Sequence, residues 1–195
     1  MHEIYRRLSQ SVFHYDFNNS SALFDWTQLN PAKSANIEGK WLKVGGLVDS
    51  GIVSVGVFGS EPFNITCSMD SLSDPLHSPQ ICWNNGVDHV ATYFQDDAWV
   101  LESHVNGTTS YARKEDRLEI GTSYNLTLSI TTESASASVN DRLIRTQHCG
   151  LGTVESGHII VSSTYCANGA ISDATITESQ NASALFVVYA RDGVH

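Results

Sequence analysis

The sequence predicts an all-β protein built from antiparallel strands, and two observations lead to that prediction. Apolar and polar residues alternate with a period of two over 124–130, over 134–139 and over 53–57. This period points successive side chains to opposite faces of a strand, so each segment is typical of a strand with one buried face. No long window shows the helical period of 3.6 residues, so we expect no long helix.

Further strands are expected along most of the chain, and one pair of them forms a hairpin. The dipeptide Asn140-Asp141 supplies turn residues ahead of Leu143-Ile144, which predicts that hairpin. The segment 68–85 is rich in Ser, Asp, Pro and Asn and is expected to be a loop. The remaining strands are expected near 12–17, 36–43, 63–68, 88–95, 98–105, 158–164 and 170–177.

The length and hydrophobic content predict a single domain with short extensions. A chain of 195 residues that is 41% hydrophobic can bury a substantial core. No repeat of 20–50 residues is visible. We expect the domain over 12–179, an N-terminal extension over 1–11 and an apolar C-terminal tail over 180–195.

Charge and hydropathy exclude several classes of partner. Charged residues make up 16% of the chain, and the formal net charge is −10. Nucleic acid binding needs clusters of Lys and Arg, so this balance argues against it and against anionic lipid surfaces. The chain contains no run of 18 apolar residues, so we expect no membrane-spanning segment.

Six Asn-X-Ser/Thr triplets predict a secreted glycoprotein, because each is a potential N-glycan acceptor in a eukaryotic secretory pathway. The first ten residues are basic and lack the apolar stretch of a signal peptide, which we interpret as a mature or trimmed chain. N-glycans are the only covalent groups expected, and no cofactor is predicted. The triplets begin at Asn18, Asn19, Asn64, Asn106, Asn125 and Asn181.

The four cysteines predict two disulfides if the chain is secreted. The simplest pairing is Cys67 with Cys82 and Cys149 with Cys166, although four cysteines allow three pairings. Closing loops of this size would stabilise the fold by about 3 kcal/mol each. Zinc is the competing interpretation, and it is disfavoured because no Cys-x-x-Cys pair exists.

Three groups of segments resemble the concanavalin A-like lectin/glucanase superfamily, which includes laminin-G-type jelly rolls. The resemblance spans roughly residues 12–178 and implies two antiparallel sheets packed face to face as a jelly roll. It supports the fold more than any one function. The segments are 13–17 with Asp25-Trp26, then 121–128 followed by 137–144, and finally 157–161 followed by 170–176.

Glucanases of that superfamily carry a Glu-x-Asp-x-x-Glu triplet on one strand, and this chain has none. Paired carboxylates are what glycoside hydrolysis requires, so the sequence predicts a protein that is not an enzyme. A lyase site built from His104, Tyr111 and Arg113 remains an alternative. The acidic candidates considered for catalysis are Asp96, Asp97, Glu102, Glu115, Asp116, Glu119 and Asp173.

Two short segments are candidates for ligand binding. Trp83 lies beside Asn84 and Asn85, where an exposed ring could stack on a sugar; the alternative is a ring folded onto the domain. Asp96-Asp97 could supply oxygen ligands for Ca²⁺, and the alternative is a simple turn. The legume-type metal motif of the superfamily is not matched.

The C-terminal tail is the last candidate site. Its apolar segment is uncharged and competent to form a strand. This segment consists of Leu185, Phe186, Val187, Val188 and Tyr189. Left uncovered it would promote aggregation. It therefore returns to its own sheet, leads on towards a further element that is missing from this sequence, or completes the sheet edge of a neighbouring copy, which would build a filament.

These observations together predict a secreted, N-glycosylated structural glycoprotein that assembles with copies of itself into a fibril or coat. The alternative is a lectin-like module that binds carbohydrate. A polysaccharide hydrolase or lyase is a third possibility.

Overall fold

The protein folds into two antiparallel β-sheets that face each other, as the sequence predicts. The computed structural model describes residues 10–32, 35–44, 50–58, 61–71, 74–149, 156–163 and 169–179. None of the helices in these ranges is long and apolar enough to cross a membrane. The architecture is the jelly roll that the resemblance implied.

Fifteen strands and one short 3-10 helix, Ser20–Asp25, make up the described elements. The strands are β1 (Gln10–Asp16), β2 (Trp26–Gln28), β3 (Asn36–Glu38), β4 (Trp41–Val44), β5 (Gly51–Ser54), β6 (Phe63–Ser71), β7 (Pro79–Asn84), β8 (His89–Gln95), β9 (Ala98–Val105), β10 (Thr108–Glu115), β11 (Ser123–Ile130), β12 (Ser134–Val139), β13 (Arg142–His148), β14 (His158–Ser163) and β15 (Gly169–Ser179).

The first sheet has eight strands. Seven of them follow the order β13-β12-β11-β6-β15-β4-β3, and the eighth, β1, pairs with residues 173–179 of β15. The register places Leu126 opposite Cys67 and Leu128 opposite Ile65. These four side chains are buried between the sheets, and the polar residues alternating with them face outward. The predicted alternation over 124–130 and 134–139 is confirmed.

The second sheet has seven strands in the order β10-β9-β8-β7-β14-β5-β2. Its inner face contributes large aromatic side chains to the core. Phe94 and Trp99 meet edge to face with their ring centroids 5.1 Å apart, and both are fully buried. Burying side chains of this size stabilises the fold by roughly 1.5–3 kcal/mol each.

Three tight turns connect strands through left-handed residues at both central positions. They are Asp96-Asp97, Asn106-Gly107 and Asn140-Asp141, with φ angles between 47° and 73°. Asn, Asp and Gly tolerate this region best, and turns of this hand match the twist of a hairpin. The hairpin predicted at Asn140-Asp141 is confirmed.

Three strand predictions need correction. The strand predicted over 53–57 is wrong in part, because β5 ends at Ser54 and both Val55 and Val57 are exposed. The segment predicted at 36–43 is a hairpin of β3 and β4, because Gly39 adopts a φ of 65° that bends the chain back. The predicted loop over 68–85 is wrong in part, since β6 extends to Ser71 and Pro79–Asn84 is the strand β7. Pro79 stands at the first position of β7, which a strand tolerates.

The predicted disulfide between Cys67 and Cys82 is wrong, and both residues are free thiols. Cys67 lies in the core between the two sheets, whereas Cys82 belongs to a separate cluster on the opposite face of the seven-stranded sheet. The seven-stranded sheet therefore separates the two sulfur atoms, which cannot meet to form a bond. Cys149 is also a free thiol, and its predicted partner Cys166 lies outside the described residues.

Candidate functional site

The outer face of the seven-stranded sheet carries a line of polar side chains that we call the polar row. It consists of Thr109, His104, His89, Asn84 and His158, which are successive cross-strand partners on β10, β9, β8, β7 and β14. Neighbouring strands lie about 4.8 Å apart, so the polar row is about 19 Å long. It offers hydrogen-bonding groups along a length suited to an extended ligand.

Directly beside the polar row, a second cross-strand line combines apolar residues with a carboxylate. Tyr111, Glu102, Ala91, Cys82 and Ile160 occupy the same five strands in register. Ala91 and Cys82 are buried although they face away from the core, because they pack with Tyr93 and Val100 into a separate cluster. This cluster forms an apolar floor under the polar groups.

Glu102 is the best-anchored polar group on this face. Its Oε2 accepts a 2.7 Å hydrogen bond from the Tyr93 hydroxyl, and its Oε1 lies 3.1 Å from His89 Nε2. The hydrogen bond from His89 lowers the pKa of Glu102, and that from Tyr93 lowers it further against the opposing effect of burial. Glu102 is therefore ionised at neutral pH, with both carboxylate oxygens engaged.

The imidazoles of His89 and His104 stack beside Glu102. Their ring centroids are 5.3 Å apart and their planes are within 10° of parallel. His104 Nδ1 lies 2.8 Å from the Thr109 hydroxyl, which fixes the plane of the ring. Two imidazoles, a carboxylate and a phenol thus lie side by side on the adjacent strands β8 and β9. Groups of these types are the ones that transfer protons in enzymes.

Strand β10 adds two exposed groups at the edge of the site. Tyr111 is the cross-strand partner of Glu102, and 61% of its surface is exposed. Arg113 is the next outward-facing residue on the strand, and its guanidinium donates to the carbonyls of Gln95 and Asp96 at 3.0 and 3.3 Å. An exposed aromatic ring next to an ionised carboxylate is a suitable platform for a sugar.

An open cavity of about 710 Å³ adjoins the site at the β8–β9 turn, and Arg113 and Glu115 contribute to its wall. Asp96 and Asp97 line it from the turn itself. The predicted Ca²⁺ candidates are thus turn residues with left-handed backbones. Within the described ranges, no group of three or more His, Cys, Asp or Glu side chains could hold a metal ion.

The prediction that Trp83 contacts sugar is wrong. Trp83 is completely buried on the inner face of β7, where its indole Nε1 donates to the carbonyl of Phe58 at 3.0 Å. Its neighbour Asn84 lies on the outer face within the polar row, so only this part of the predicted segment reaches the site. Asn85 accepts hydrogen bonds from Val87 and Asp88 and stabilises the turn.

The glycan acceptors fall mainly outside the candidate site. Asn64 and Asn125 are exposed on the outer face of the eight-stranded sheet, on the neighbouring strands β6 and β11. Asn106 is in the β9–β10 turn. Asn18 donates to the Asp16 carboxylate, and Asn19 accepts from Ser21 at the start of the 3-10 helix.

Two predicted sites lie outside the described residues. These are the sequon at Asn181 and the assembly strand Leu185–Tyr189. Assembly with further copies of the chain therefore stays a prediction.

Several residues of the site were missed by the sequence analysis or given another role. His104 was named only in the alternative lyase site, His89 was given no functional role on its predicted strand, and Tyr93 was not considered. Thr109 and Tyr111 lie on β10, whose pairing with β9 places them beside His104 and Glu102. The sequence predicted no alternation of apolar and polar residues in this strand. His89, Ala91 and Tyr93 are two residues apart, and this spacing could have predicted that His89 and Tyr93 lie on the same face of the strand.

Comparison with known proteins gives a likeness of fold. No protein-family model matches the chain, and no curated protein matches it. A Crh5 transglycosylase solved in complex with NAG is 12% identical, with a TM-score of 0.67 over 89% of this chain and 86% of that one. A β-glucanase from Bacillus licheniformis is 10% identical, with a TM-score of 0.63 over 87% and 98%.

A carbohydrate-binding module shares the fold as well. The module CBM66 from Bacillus subtilis is 18% identical, with a TM-score of 0.61 over 80% of this chain and 96% of that one. The likeness to these structures agrees with the jelly-roll fold that the resemblance implied.

These neighbours correct two functional expectations. The prediction that the chain is not an enzyme is contradicted, because glucanases and a transglycosylase are among the structures of this fold. The fibril or coat subunit is disfavoured for the same reason, and the carbohydrate-directed alternatives are favoured over it.

Proposed function

We propose that this protein binds a glycan chain across the outer face of its seven-stranded sheet and cleaves it there. The observation that carries the proposal is the environment of Glu102, an ionised carboxylate held by His89 and Tyr93. An isolated structural carboxylate on a solvent-facing sheet would not need two directional partners. Such anchoring is typical of a group that must keep one orientation while a ligand binds.

The surroundings of Glu102 suit a carbohydrate. Sugars present hydroxyl groups at their edges and C–H groups on their faces, so they require hydrogen-bonding side chains and an aromatic or apolar surface together. The polar row supplies the hydrogen-bonding groups, and Tyr111 with the apolar floor supplies the surface. A length of about 19 Å for the polar row allows several sugar units to bind side by side.

The kinds of protein among the structural neighbours agree with this choice of ligand. They include a glucanase, a transglycosylase and a carbohydrate-binding module. At this level of identity the likeness supports the ligand class only through the shared fold. The argument for this chain therefore rests on its own side chains.

The binding half of the proposal is tested with a panel of soluble polysaccharides and the variant Tyr111→Ala. We expect loss of an exposed stacking ring to weaken binding about tenfold or more, since such a ring contributes roughly 1–2 kcal/mol. Phe24→Ala is the matched control, because Phe24 is 84% exposed and lies next to β2 at the opposite edge of the sheet. Equal affinities for both variants and the parent chain would contradict the proposed face.

The cleaving half is tested by incubating the same polysaccharides with the protein and measuring new reducing ends. Glu102→Gln keeps the shape of the side chain and removes its charge, so we expect it to abolish the product while the fold persists. If the parent chain binds a polysaccharide but releases no new reducing ends, the cleaving half of the proposal is refuted and the protein is a binding module.

We also propose that the chain is secreted and carries N-glycans on the outer face of its eight-stranded sheet. Asn64 and Asn125 support this, because both are exposed there and both face away from the candidate site. Expression in a eukaryotic secretory host should give a mass that falls on glycosidase treatment. The variants Asn64→Gln and Asn125→Gln should each remove one glycan, and an unmodified parent chain would refute the proposal.

A further inference from the structure

We propose that the C-terminal segment Leu185–Tyr189 folds back within its own chain and covers an exposed apolar surface where the open edges of the two sheets meet. We call this surface the edge patch, and it consists of Phe13, Phe24, Val55 and Val57. The inference goes beyond the proposed function, because it concerns the side of the sandwich formed by β1 and β2 and does not depend on glycan binding.

Two open strand edges lie on the same side of the sandwich. In the described part of the chain, β1 has one strand neighbour, β15, and β2 also has one, β5. Rings from the two strands are in contact, since Tyr15 on β1 and Trp26 on β2 meet edge to face with their centroids 5.2 Å apart. An open edge exposes backbone N–H and C=O groups to pairing with another chain, and proteins usually cover or blunt such edges.

Phe13 places one end of the edge patch on β1. Its ring contacts that of Phe58 with their centroids 5.7 Å apart. Phe13 is nevertheless 41% exposed, although its cross-strand partner Ile176 is completely buried. Val57, which precedes Phe58, is more than half exposed. The described residues therefore leave apolar surface uncovered where the core reaches this edge.

Val55 and Phe24 extend the edge patch towards β2. The backbone amide of Val55 donates to the carbonyl of Asp25 at 2.7 Å, which places Val55 next to the 3-10 helix that carries Phe24. The Ser54 hydroxyl donates to the carbonyl of Gly56 at 2.7 Å and holds the bend between the two valines. Single exposed apolar residues are common, but a contiguous group of them marks an interaction surface.

The C-terminal tail starts beside the edge patch. Ser179, at the end of β15, is the cross-strand partner of Gln10, at the start of β1. Phe13 is three residues further along β1, so it lies about 11 Å from Ser179. Residues 180–184 span up to about 17 Å when they are extended. Leu185 can therefore reach Phe13 of its own chain.

The composition of the segment fits the surface. Leu185–Tyr189 contains five uncharged residues with large side chains, and the four residues of the edge patch are all apolar. Residues 1–9, which precede β1, are the other segment close to this edge. They include Glu3, Arg6 and Arg7, whose burial without partners would be costly. The C-terminal segment is therefore the occupant that the chemistry favours.

The short linker favours the chain's own segment over that of a second copy. A flexible linker of this length gives a tethered segment an effective concentration in the millimolar range. The segment of another copy would have to compete at the much lower concentration of the protein itself. An edge covered in this way is also closed to edge-to-edge pairing between copies.

Amide hydrogen exchange of the full chain, followed by mass spectrometry, tests the contact. A free peptide with the sequence of residues 180–195 is the reference. At a protein concentration of about 1 μM, far below the effective concentration of the segment, we expect the amides of Leu185–Tyr189 to exchange about tenfold or more slowly than in the peptide. Exchange at the rate of the peptide would overturn the inference.

Two substitutions locate the contact, one on each of its surfaces. Val57→Asp places a charge in the edge patch, and Val187→Asp places one in the segment. Each should return the amides of the segment to the rate of the matching peptide, and both together should do no more than either alone. Exchange in β11 should stay unchanged and reports that the fold persists.

The matched controls introduce the same charge elsewhere. Val87→Asp changes a valine that is 75% exposed in the turn between β7 and β8. Val194→Asp changes a valine of the tail beyond the segment. Both variants should keep the slow exchange of the parent chain.

Two further outcomes would contradict the inference. Slow exchange that appears only as the protein concentration rises, together with a dimer mass in light scattering, would identify a second copy as the occupant. Slow exchange that survives Val57→Asp would place the segment on another surface.

Discussion

Removing the hydroxyl of Tyr93 should destabilise the protein in a pH-dependent manner. Tyr93→Phe leaves a ring of the same shape in a position that is 5% exposed, so the packing of the apolar floor is preserved. What is lost is the 2.7 Å hydrogen bond to Glu102 Oε2. The perturbation therefore isolates one of the two interactions that hold this carboxylate.

The expected magnitude follows from the charge on the acceptor. A hydrogen bond to an ionised group contributes about 1.5–3 kcal/mol, compared with about 0.5–1.5 kcal/mol for a neutral pair. Loss of this bond should therefore raise the pKa of Glu102 in the variant, because one of the interactions that favours the ionised carboxylate is removed. His89 remains in place, so its hydrogen bond should still lower the pKa of Glu102 in the variant.

The sign of the pH dependence can be worked out from the lowered pKa of Glu102. The stabilisation is present above the pKa that glutamate has in the unfolded chain, and it is lost as pH falls through the lower folded pKa. The destabilisation caused by Tyr93→Phe should thus be largest near pH 7 and should shrink as pH falls through the folded pKa of Glu102 and the carboxyl group becomes protonated.

Urea unfolding at several pH values measures this effect, and a double-mutant cycle with Glu102→Gln isolates the pair. We expect a coupling energy of about 1–2 kcal/mol at pH 7 that shrinks in acid. A difference between parent and variant that is the same at pH 7 and pH 3, or a coupling energy near zero, would refute the conclusion that Tyr93 holds an ionised Glu102.

Three further predictions concern the sheets. A methyl group on Gly51 would lie 2.4 Å from atoms of β14, so Gly51→Ala should lower the free energy of unfolding by about 1–3 kcal/mol, whereas Gly56→Ala, with its nearest neighbour at 3.7 Å, should change little. Cys67 and Cys82 should both react with a thiol reagent after unfolding and remain inert in the folded protein, because burial raises both pKa values, that of Cys82 to about 12. A native disulfide found by mass spectrometry would contradict this. Trp83→Phe should cost about 1–3 kcal/mol of stability by chemical denaturation and leave glycan affinity unchanged, since the indole faces the core.

The sequence predicted the strands in which one face is apolar and the other polar. The strands β11 and β12 were found because apolar and polar residues alternate over 124–130 and 134–139. Strand β10 was missed because it is an edge strand whose outward and inward residues are both largely polar and exposed. β7 was missed because Pro79 and the surrounding polar residues suggested a loop, although a strand can begin with proline.

The site could be predicted only in fragments, since it is assembled from strands that are adjacent in space through registers that the sequence does not specify. His104 and Tyr111 were named together only in the alternative lyase site, and the hairpin that brings them close was not predicted. Glu102 was only one of seven acidic candidates, because its partners His89 and Tyr93 come from the preceding strand. Trp83 was misplaced for a different reason: a shift of one residue in a strand moves a side chain from the solvent to the core.

The position of β15 has a consequence for how the protein is made. This strand is the last described element in the chain, yet it pairs with β6, β4 and β1 in the interior of the eight-stranded sheet. During synthesis, β6 therefore lacks one of its two neighbours until residues 169–179 have left the ribosome. Contacts between segments so distant in sequence form slowly, and an unpaired central strand is prone to misassociation. The nascent chain should consequently stay protease-sensitive until residues 169–179 have emerged, and then become resistant in a single step.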